Sequence, residues 1–426
     1  MKAAQWMGSK TIQIGEVPKP TVTAPKDAIV RVTHCCICGS DLHMYGGEMN
    51  KFMQKGDILG HEAIGYIEEV GKGVSNFKAG DRVIILPVIA CGECFYCQKQ
   101  QYSLCDKTNP AEEMDGLYGH RLSGIFGYSH LTGGYPGNQA EYCRVPNADL
   151  VLLNCPEDLP AKKALGLADV TDTAWHGVEL AEVREGDVVG VWGCGPIGLS
   201  IQKLSKEIRG AAKVYAIDTE PHRLKIAEAH GMIPVDASKV KPDEYILSVE
   251  PHGLDRSIEA SGFRSTDSVT HKVLRATGLE GDSADTISEA IKATRKGGNL
   301  ALIGDFFFNT NVFPIGMLME KTITLRGGQL MAQKVRDELH APYRCNRCTR
   351  LTVLNSTTRS SWTWSRKGNT ILRSCSPMLV SDSRTSSDWD QRRKHDRSAD
   401  IIIRQIRSRT SPRNTNCSST TQCLVD

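Results

Sequence analysis

A chain of 426 residues exceeds what one hydrophobic core ordinarily organises, which predicts two domains. Its 40% hydrophobic and 24% charged residues are those of a globular protein, and a net charge of +3 offers no field for nucleic acid or an anionic membrane. No apolar run reaches membrane-spanning length, and the opening MKAAQWMGSK has no apolar signal core, so the expectation is a cytoplasmic protein.

In chain order, residues 1–155 hold short β-type runs broken by Gly and Pro, among them DAIVRVTHC, HEAIGYIEEVG and DRVIILPV. CGSDLH begins at Cys38, and GHEAIG carries His61 and Glu62. Cys38 and His61 are a soft and a borderline ligand suited to zinc. Alone, such a distant pair is more often a buried thiol and an unrelated histidine. A catalytic zinc takes three protein ligands and leaves one position open. Asp169, in LADVTDTAWHG, is the candidate third.

The chain has 15 cysteines, and their spacing decides what they mean. Cys91, Cys94, Cys97 and Cys105 form C-x2-C-x2-C-x7-C in CGECFYCQKQQYSLC. Four thiolates close a tetrahedral zinc shell, so a metal held there is structural. Disulfides or core cysteines are the plain alternative, and an iron–sulfur cluster uses similar spacing.

Residues 156–328 alternate apolar strands with helical stretches. DVVGVWG, KVYAID, LDRSIEA, GNLALIG and TITLRGG read as buried parallel strands; PIGLSIQKLSKEI and PHRLKIAEAH read as helices. The alternation predicts a doubly wound α/β sheet. Gly193, Gly195 and Gly198 form G-x-G-x-x-G between a strand and a helix, with Pro196 and Ile197 opening that helix. The glycines permit a tight turn, backbone approach to a pyrophosphate, and close helix–strand packing. Asp218 ends the next strand, where a carboxylate accepts from both ribose hydroxyls and repels a 2′-phosphate. This reads as NAD. Arg223 nearby is either a solvated helix residue or a group that tolerates the extra phosphate.

Residues 329–426 are crowded with Ser, Thr and Arg, as in NSTTRSSWTWSRKGNT, and show no sustained period. Such a segment buries too little apolar surface to offset its ordering entropy, so a disordered or aberrant tail is expected. Cys345 and Cys348 form a C-x2-C there without a second pair.

CGSDLH, GHEAIG, the four-cysteine lobe, GGYPGNQAEYCRVP, LADVTDTAWHG, WGCGPIG and TLRGGQ occur in the order found in the zinc-containing medium-chain alcohol dehydrogenase superfamily, which residues 1–333 resemble. Asp169 and long insertions at 106–132 and 264–290 make the chain most similar to the glutathione-independent formaldehyde dehydrogenase group. The resemblance implies a GroES-like β-rich catalytic domain over 1–155, a Rossmann domain over 156–328, and an atypical tail over 329–426 in place of the closing catalytic elements. It implies two zincs per chain. Cys38, His61 and Asp169 hold the catalytic one, with Glu62 able to exchange onto it, and Cys91, Cys94, Cys97 and Cys105 hold the structural one. Asp41 orients a ligand histidine, and Ser40 and His43 form a proton relay. The implied reaction transfers hydride between a small alcohol or aldehyde, hydrated formaldehyde in the narrow form, and NAD, in a homodimer or homotetramer. A polyol or secondary-alcohol dehydrogenase, and a zinc- and NAD-binding relic without turnover, are the competing readings.

Overall fold

The computed structural model describes residues 1–263, 282–311 and 313–334, together with two short strands, Thr363–Ser365 and Thr370–Leu372. The chain divides into two compact units. One comprises Met1–Asp169 and is rejoined by the chain from Met331; the other comprises Val170–Leu330.

The first unit is built on antiparallel sheets. Its strands include β1 (Lys2–Gly8), β2 (Thr11–Glu16), β3 (Ala28–Cys35), β4 (Asp57–Ile58), β5 (Ala63–Val70) and β6 (Arg82–Ile85). They continue with β7 (Val88–Ile89), β8 (Gly124–Ile125), β9 (Tyr142–Val145) and β10 (Leu152–Asn154). A five-stranded sheet runs β10-β6-β5-β3-β9. Val30, Val32, Ala63, Ile67, Val83 and Ile85 fill its core. The expected runs DAIVRVTHC, HEAIGYIEEVG and DRVIILPV supply β3, β5 and β6.

The pairing of β3 with β5 aligns two loops. In this ladder Cys35 lies opposite Ala63, and the Cys36 N–H donates to the Glu62 carbonyl at 3.0 Å. The chain leaving β3 and the chain entering β5 therefore run side by side. Residues 106–132 fold back on this unit: Asn109 is buried, donates to the Leu131 carbonyl at 2.8 Å and accepts from the Ala111 N–H at 2.9 Å.

The second unit carries a six-stranded parallel sheet with β11 (Val188–Trp192), β12 (Lys213–Asp218), β13 (Ile233–Asp236), β14 (Leu254–Glu259), β15 (Thr294–Leu302) and β16 (Thr324–Gly327). The order is β13-β12-β11-β14-β15-β16, so the chain reverses direction across the sheet between β11 and β14. Alternate side chains cover both faces: Val189, Val191, Val214 and Ala216 on one, Trp192, Tyr215, Ile217 and Leu300 on the other. This is the doubly wound architecture expected. Two details differ. Within TITLRGG, β16 is a mostly exposed strand with one hydrogen-bonded neighbour, β15, among the described residues. The short β13 went unanticipated, because IPVD is brief and interrupted by Pro234.

In the tail, the expectation of no regular structure meets an antiparallel pair, Thr363–Ser365 (β17) with Thr370–Leu372 (β18). TWS and TIL are rich in β-favouring residues, which suffices for a short ladder. Most of the tail, Cys345 and Cys348 included, and residues 264–281 of the second insertion lie outside the described residues.

Candidate metal and dinucleotide sites

Cys38 caps the helix Gly39–Gly46, which begins shortly after β3. The Asp41 side chain closes the cap by accepting the Cys38 N–H at 2.8 Å. His61 and Glu62 directly precede β5, so the β3–β5 register brings them beside Cys38. Asp169 ends the turn that follows a short helix, Ala161–Leu165; Ala164 and Leu165 of the helix and Ala168 of the turn pack with Ile64 and Ile84 of the sheet. As a result the donor atoms of Cys38, His61, Glu62 and Asp169 all lie within 4.8 Å of one another. His61 Nε2 is 3.5 Å from Asp169 Oδ2 and 3.5 Å from Ser40 Oγ. His43 is half-buried one helical turn beyond Ser40, on the same helix face.

Buried acidic groups crowd the cluster. Glu62 is 2% exposed, and burial together with the Asp169 charge pushes its carboxyl up to about 8. Burial and the neighbouring Glu62 push the Cys38 thiol up to about 12. Burial disfavours the charged form of His61, but bonds to Asp169 and Cys38 outweigh this and raise it well above its usual value. Buried anions crowded this way resist ionisation, and a cation at their centre relieves the cost. A thiolate, an imidazole and carboxylates form a donor set that suits zinc.

The four-cysteine lobe is local. Cys91, Cys94, Cys97 and Cys105 also bring their sulfurs within 4.8 Å of one another. Cys91 Sγ is 3.8 Å from Cys97 Sγ, and Cys94 Sγ is 3.9 Å from Cys105 Sγ. A bonded pair would stand about 2.0 Å apart, and all four are free thiols. Sulfurs roughly 2.3 Å from a central zinc form a tetrahedron with edges of about 3.8 Å, so the spacing fits a metal. Burial opposes ionisation of Cys94, yet the N–H groups of Cys97 and Asp106 help draw its thiol down to about 7.

In the second unit the glycines form a tight turn between β11 and the helix that follows it. Gly193 has φ +99°, and a Cβ there would stand 2.9 Å from the Ala260 carbonyl oxygen. A Cβ on Gly198 would collide with the Gly193 carbonyl, while Gly195 faces open space. Pro196 and Ile197 begin the helix Pro196–Lys203. Asp218 accepts the Cys194 N–H at 2.6 Å and the Glu220 N–H at 2.9 Å. Arg223 Nη1 lies 3.8 Å from Asp218 Oδ2. The turn sits at the carboxyl end of β11, where the strand order reverses and open α/β sheets bind ligands.

Residues 24–156 match the family model described as the alcohol dehydrogenase GroES-like domain. A zinc-type alcohol dehydrogenase-like protein of Schizosaccharomyces pombe is 45% identical over 336 residues, 78% of this chain and 79% of that protein. The chain belongs to the zinc-type medium-chain alcohol dehydrogenase family. Among solved structures of this family, the alcohol dehydrogenase TADH from Thermus sp. ATN1 is 32% identical with a TM-score of 0.67, covering 80% of this chain and 88% of that one. The glutathione-independent formaldehyde dehydrogenase of Pseudomonas aeruginosa is more distant, 35% identical over 273 residues, 61% of this chain and 65% of that protein. Membership makes the chain an oxidoreductase of a family that uses zinc and a nicotinamide dinucleotide.

Two residues of this zinc-type alcohol dehydrogenase carry no signal in their spacing alone. Glu259 is fully buried at the end of β14. One of its oxygens accepts from the N–H groups of Ser261 at 3.0 Å and Gly262 at 2.9 Å and from the Thr286 hydroxyl at 3.1 Å, fixing the turn that abuts Gly193. A carboxylate closing an apolar strand was the available signal. Gln139 was visible within GGYPGNQAEYCRVP, but nothing in its spacing pointed to Asp41, to which its amide donates at 2.9 Å.

Proposed function

We propose that this chain is an NAD-dependent dehydrogenase of small alcohols or aldehydes, with hydrated formaldehyde as the narrowest substrate class. The convergence of Cys38, His61, Glu62 and Asp169 in one buried cluster carries the reading. Cys38, His61 and Asp169 are the ligands of a catalytic zinc, Glu62 exchanges onto it, and Cys91, Cys94, Cys97 and Cys105 hold a structural zinc. When bound, the catalytic zinc supplies Lewis-acid polarisation of the substrate oxygen, and NAD supplies the hydride acceptor.

The chain's own groups do the rest. Ser40 Oγ, buried beside His61 Nε2, accepts the substrate hydroxyl proton as it hands its own toward half-buried His43 and solvent. Gly195 leaves the backbone open to a pyrophosphate, and the N-terminus of the following helix offers N–H groups to it. Asp218, held by the Cys194 and Glu220 N–H groups, accepts from the ribose hydroxyls and disfavours a 2′-phosphate. Its free thiols suit a reducing, cytoplasmic compartment, and a homodimer or homotetramer is the proposed assembly.

The test is zinc per chain by elemental analysis, followed by NAD and NADP reduction against formaldehyde, primary alcohols, secondary alcohols and polyols. Two zincs with NAD reduction by formaldehyde or short alcohols are expected. Turnover confined to polyols or secondary alcohols would move the substrate class, and bound NAD without any turnover would make the chain a relic.

A further inference from the structure

Gln139 is 8% exposed and lies in the segment that leads into β9. Its backbone neighbourhood is zipped to the approach to His61. The Gly137 N–H donates to the Ile58 carbonyl at 2.8 Å, the Asn138 N–H to Gly60 at 2.9 Å, and the Gln139 N–H to Leu59 at 2.9 Å. Its side chain crosses to the other ligand-bearing loop. Nε2 donates to Asp41 Oδ2 at 2.9 Å and to the Cys36 carbonyl at 3.2 Å. The same Asp41 oxygen accepts the Cys38 N–H. Gly60 adopts φ +96°, and a Cβ there would stand 2.5 Å from Gln139 Cγ, so the residue before His61 is pressed against this side chain.

We infer that Gln139 is a positioning residue for the Cys38–His61–Asp169 metal cluster, its amide setting the spacing between the loop that carries Cys38 and the segment that carries His61. The inference rests on the ligand assignment proposed above. A glutamine amide has two N–H donors, and both are committed here, one to each side of the Cys38 loop. Their effect on Asp41 is specific. Oδ2 accepts from both the Gln139 amide and the Cys38 N–H, and the Gly60 N–H also supports this buried carboxyl. The glutamine thus pins the same carboxylate oxygen that closes the turn at Cys38. Groups that hold ligands in this way commonly change metal affinity by about 10–100-fold when removed. A carboxylate in place of this amide would lose both donors and face Asp41 with like charge.

The test uses the full chain and zinc alone as the probe. Zinc release into excess chelator is followed for the parent, Cys38→Ala, Gln139→Met and Gln139→Glu, with thermal melting alongside. The release phase absent from Cys38→Ala reports the mixed cluster; the remaining phase reports the four-cysteine lobe. Gln139→Met should accelerate the mixed-cluster phase by about 10–100-fold and Gln139→Glu by more, with the lobe phase unchanged. An unaltered mixed-cluster phase overturns the inference. So does equal acceleration of both phases, or failure of both variants to fold, since either makes Gln139 part of the general scaffold. A parent chain with no Cys38-dependent phase instead removes the ligand assignment, and the inference falls with it.

Discussion

The two metal-competent clusters are built in opposite ways. The four cysteines lie within one loop, Cys91 to Cys105, and a few tight turns bring their sulfurs together. The mixed cluster draws Cys38 from just beyond the end of β3, His61 and Glu62 from the entrance to β5, and Asp169 from a turn more than a hundred residues further on. The first needs local geometry alone. The second exists only when the five-stranded sheet is in register, and it is ringed by Ser40, Asp41 and Gln139, polar groups with chemistry to perform or to hold. Closed coordination from one loop suits a structural role; dispersed ligands on a sheet suit a site that must meet a substrate.

Separating the two clusters gives the largest expected effects. Cys38→Ala should lower kcat/KM by at least about 10³-fold, the several kcal/mol that metal polarisation supplies, while one zinc per chain remains. Cys97→Ser should lose the lobe zinc and lower the melting temperature, with the Cys38-dependent zinc retained in whatever fraction stays folded. Elemental analysis beside steady-state kinetics checks both; loss of both zincs in Cys38→Ala would break the contrast.

Ser40→Ala comes next. It should cut kcat by about 10²-fold, within the range for a lost proton-transfer group, with both zincs retained and the pH dependence of kcat changed. An unchanged kcat discards the relay. Asp218→Asn should then raise the KM for NAD about tenfold, near the worth of a hydrogen bond to a charged group, and narrow the preference over NADP. An unaltered cofactor ratio would shift attention to Arg223, 3.8 Å from Asp218.

The smallest effect contrasts buried Glu62, which belongs to the mixed cluster, with half-buried Glu289, which joins no metal-competent cluster among the described residues. Glu289 lies on the helix Asp285–Ala293, whose Ile287, Ala290 and Ile291 pack with Trp192 of β11, and it accepts from Trp192 Nε1 at 3.0 Å. Burial pushes its carboxyl up to about 7, with Asp243 and Asp285 adding to the rise. The folded state therefore favours the protonated form. The stability it lends is complete below the ordinary glutamate range and is lost as pH rises through about 7. Glu289→Gln should flatten this dependence and raise stability at pH 8 by about 2 kcal/mol, read from denaturant melts at pH 5 and pH 8. An identical pH profile in the variant would remove Glu289 as the cause.

The same contrast accounts for what was legible in the sequence. The lobe is read directly from spacing, and the glycine turn from Gly193, Gly195 and Gly198 set between a strand and a helix. The exposure of β16 is not visible there, because TITLRGG has the same apolar character as an interior strand. Glu259 and Gln139 go unassigned, because each acts through partners that only packing supplies: the turn beside Gly193 in one case, Asp41 and the Cys36 carbonyl in the other.

By itself, the sequence determined the class of fold, the local four-cysteine lobe and the glycine turn, since each depends on periodicity or on residues close together in the chain. Tertiary structure alone decided that Cys38, His61, Glu62 and Asp169 meet, that His61 Nε2 faces Asp169 and Ser40, and that Gln139 ties the two ligand loops together. The physical reason is the β3–β5 register: a one-residue slip turns every side chain of the strand to the opposite face and separates Cys38 from His61.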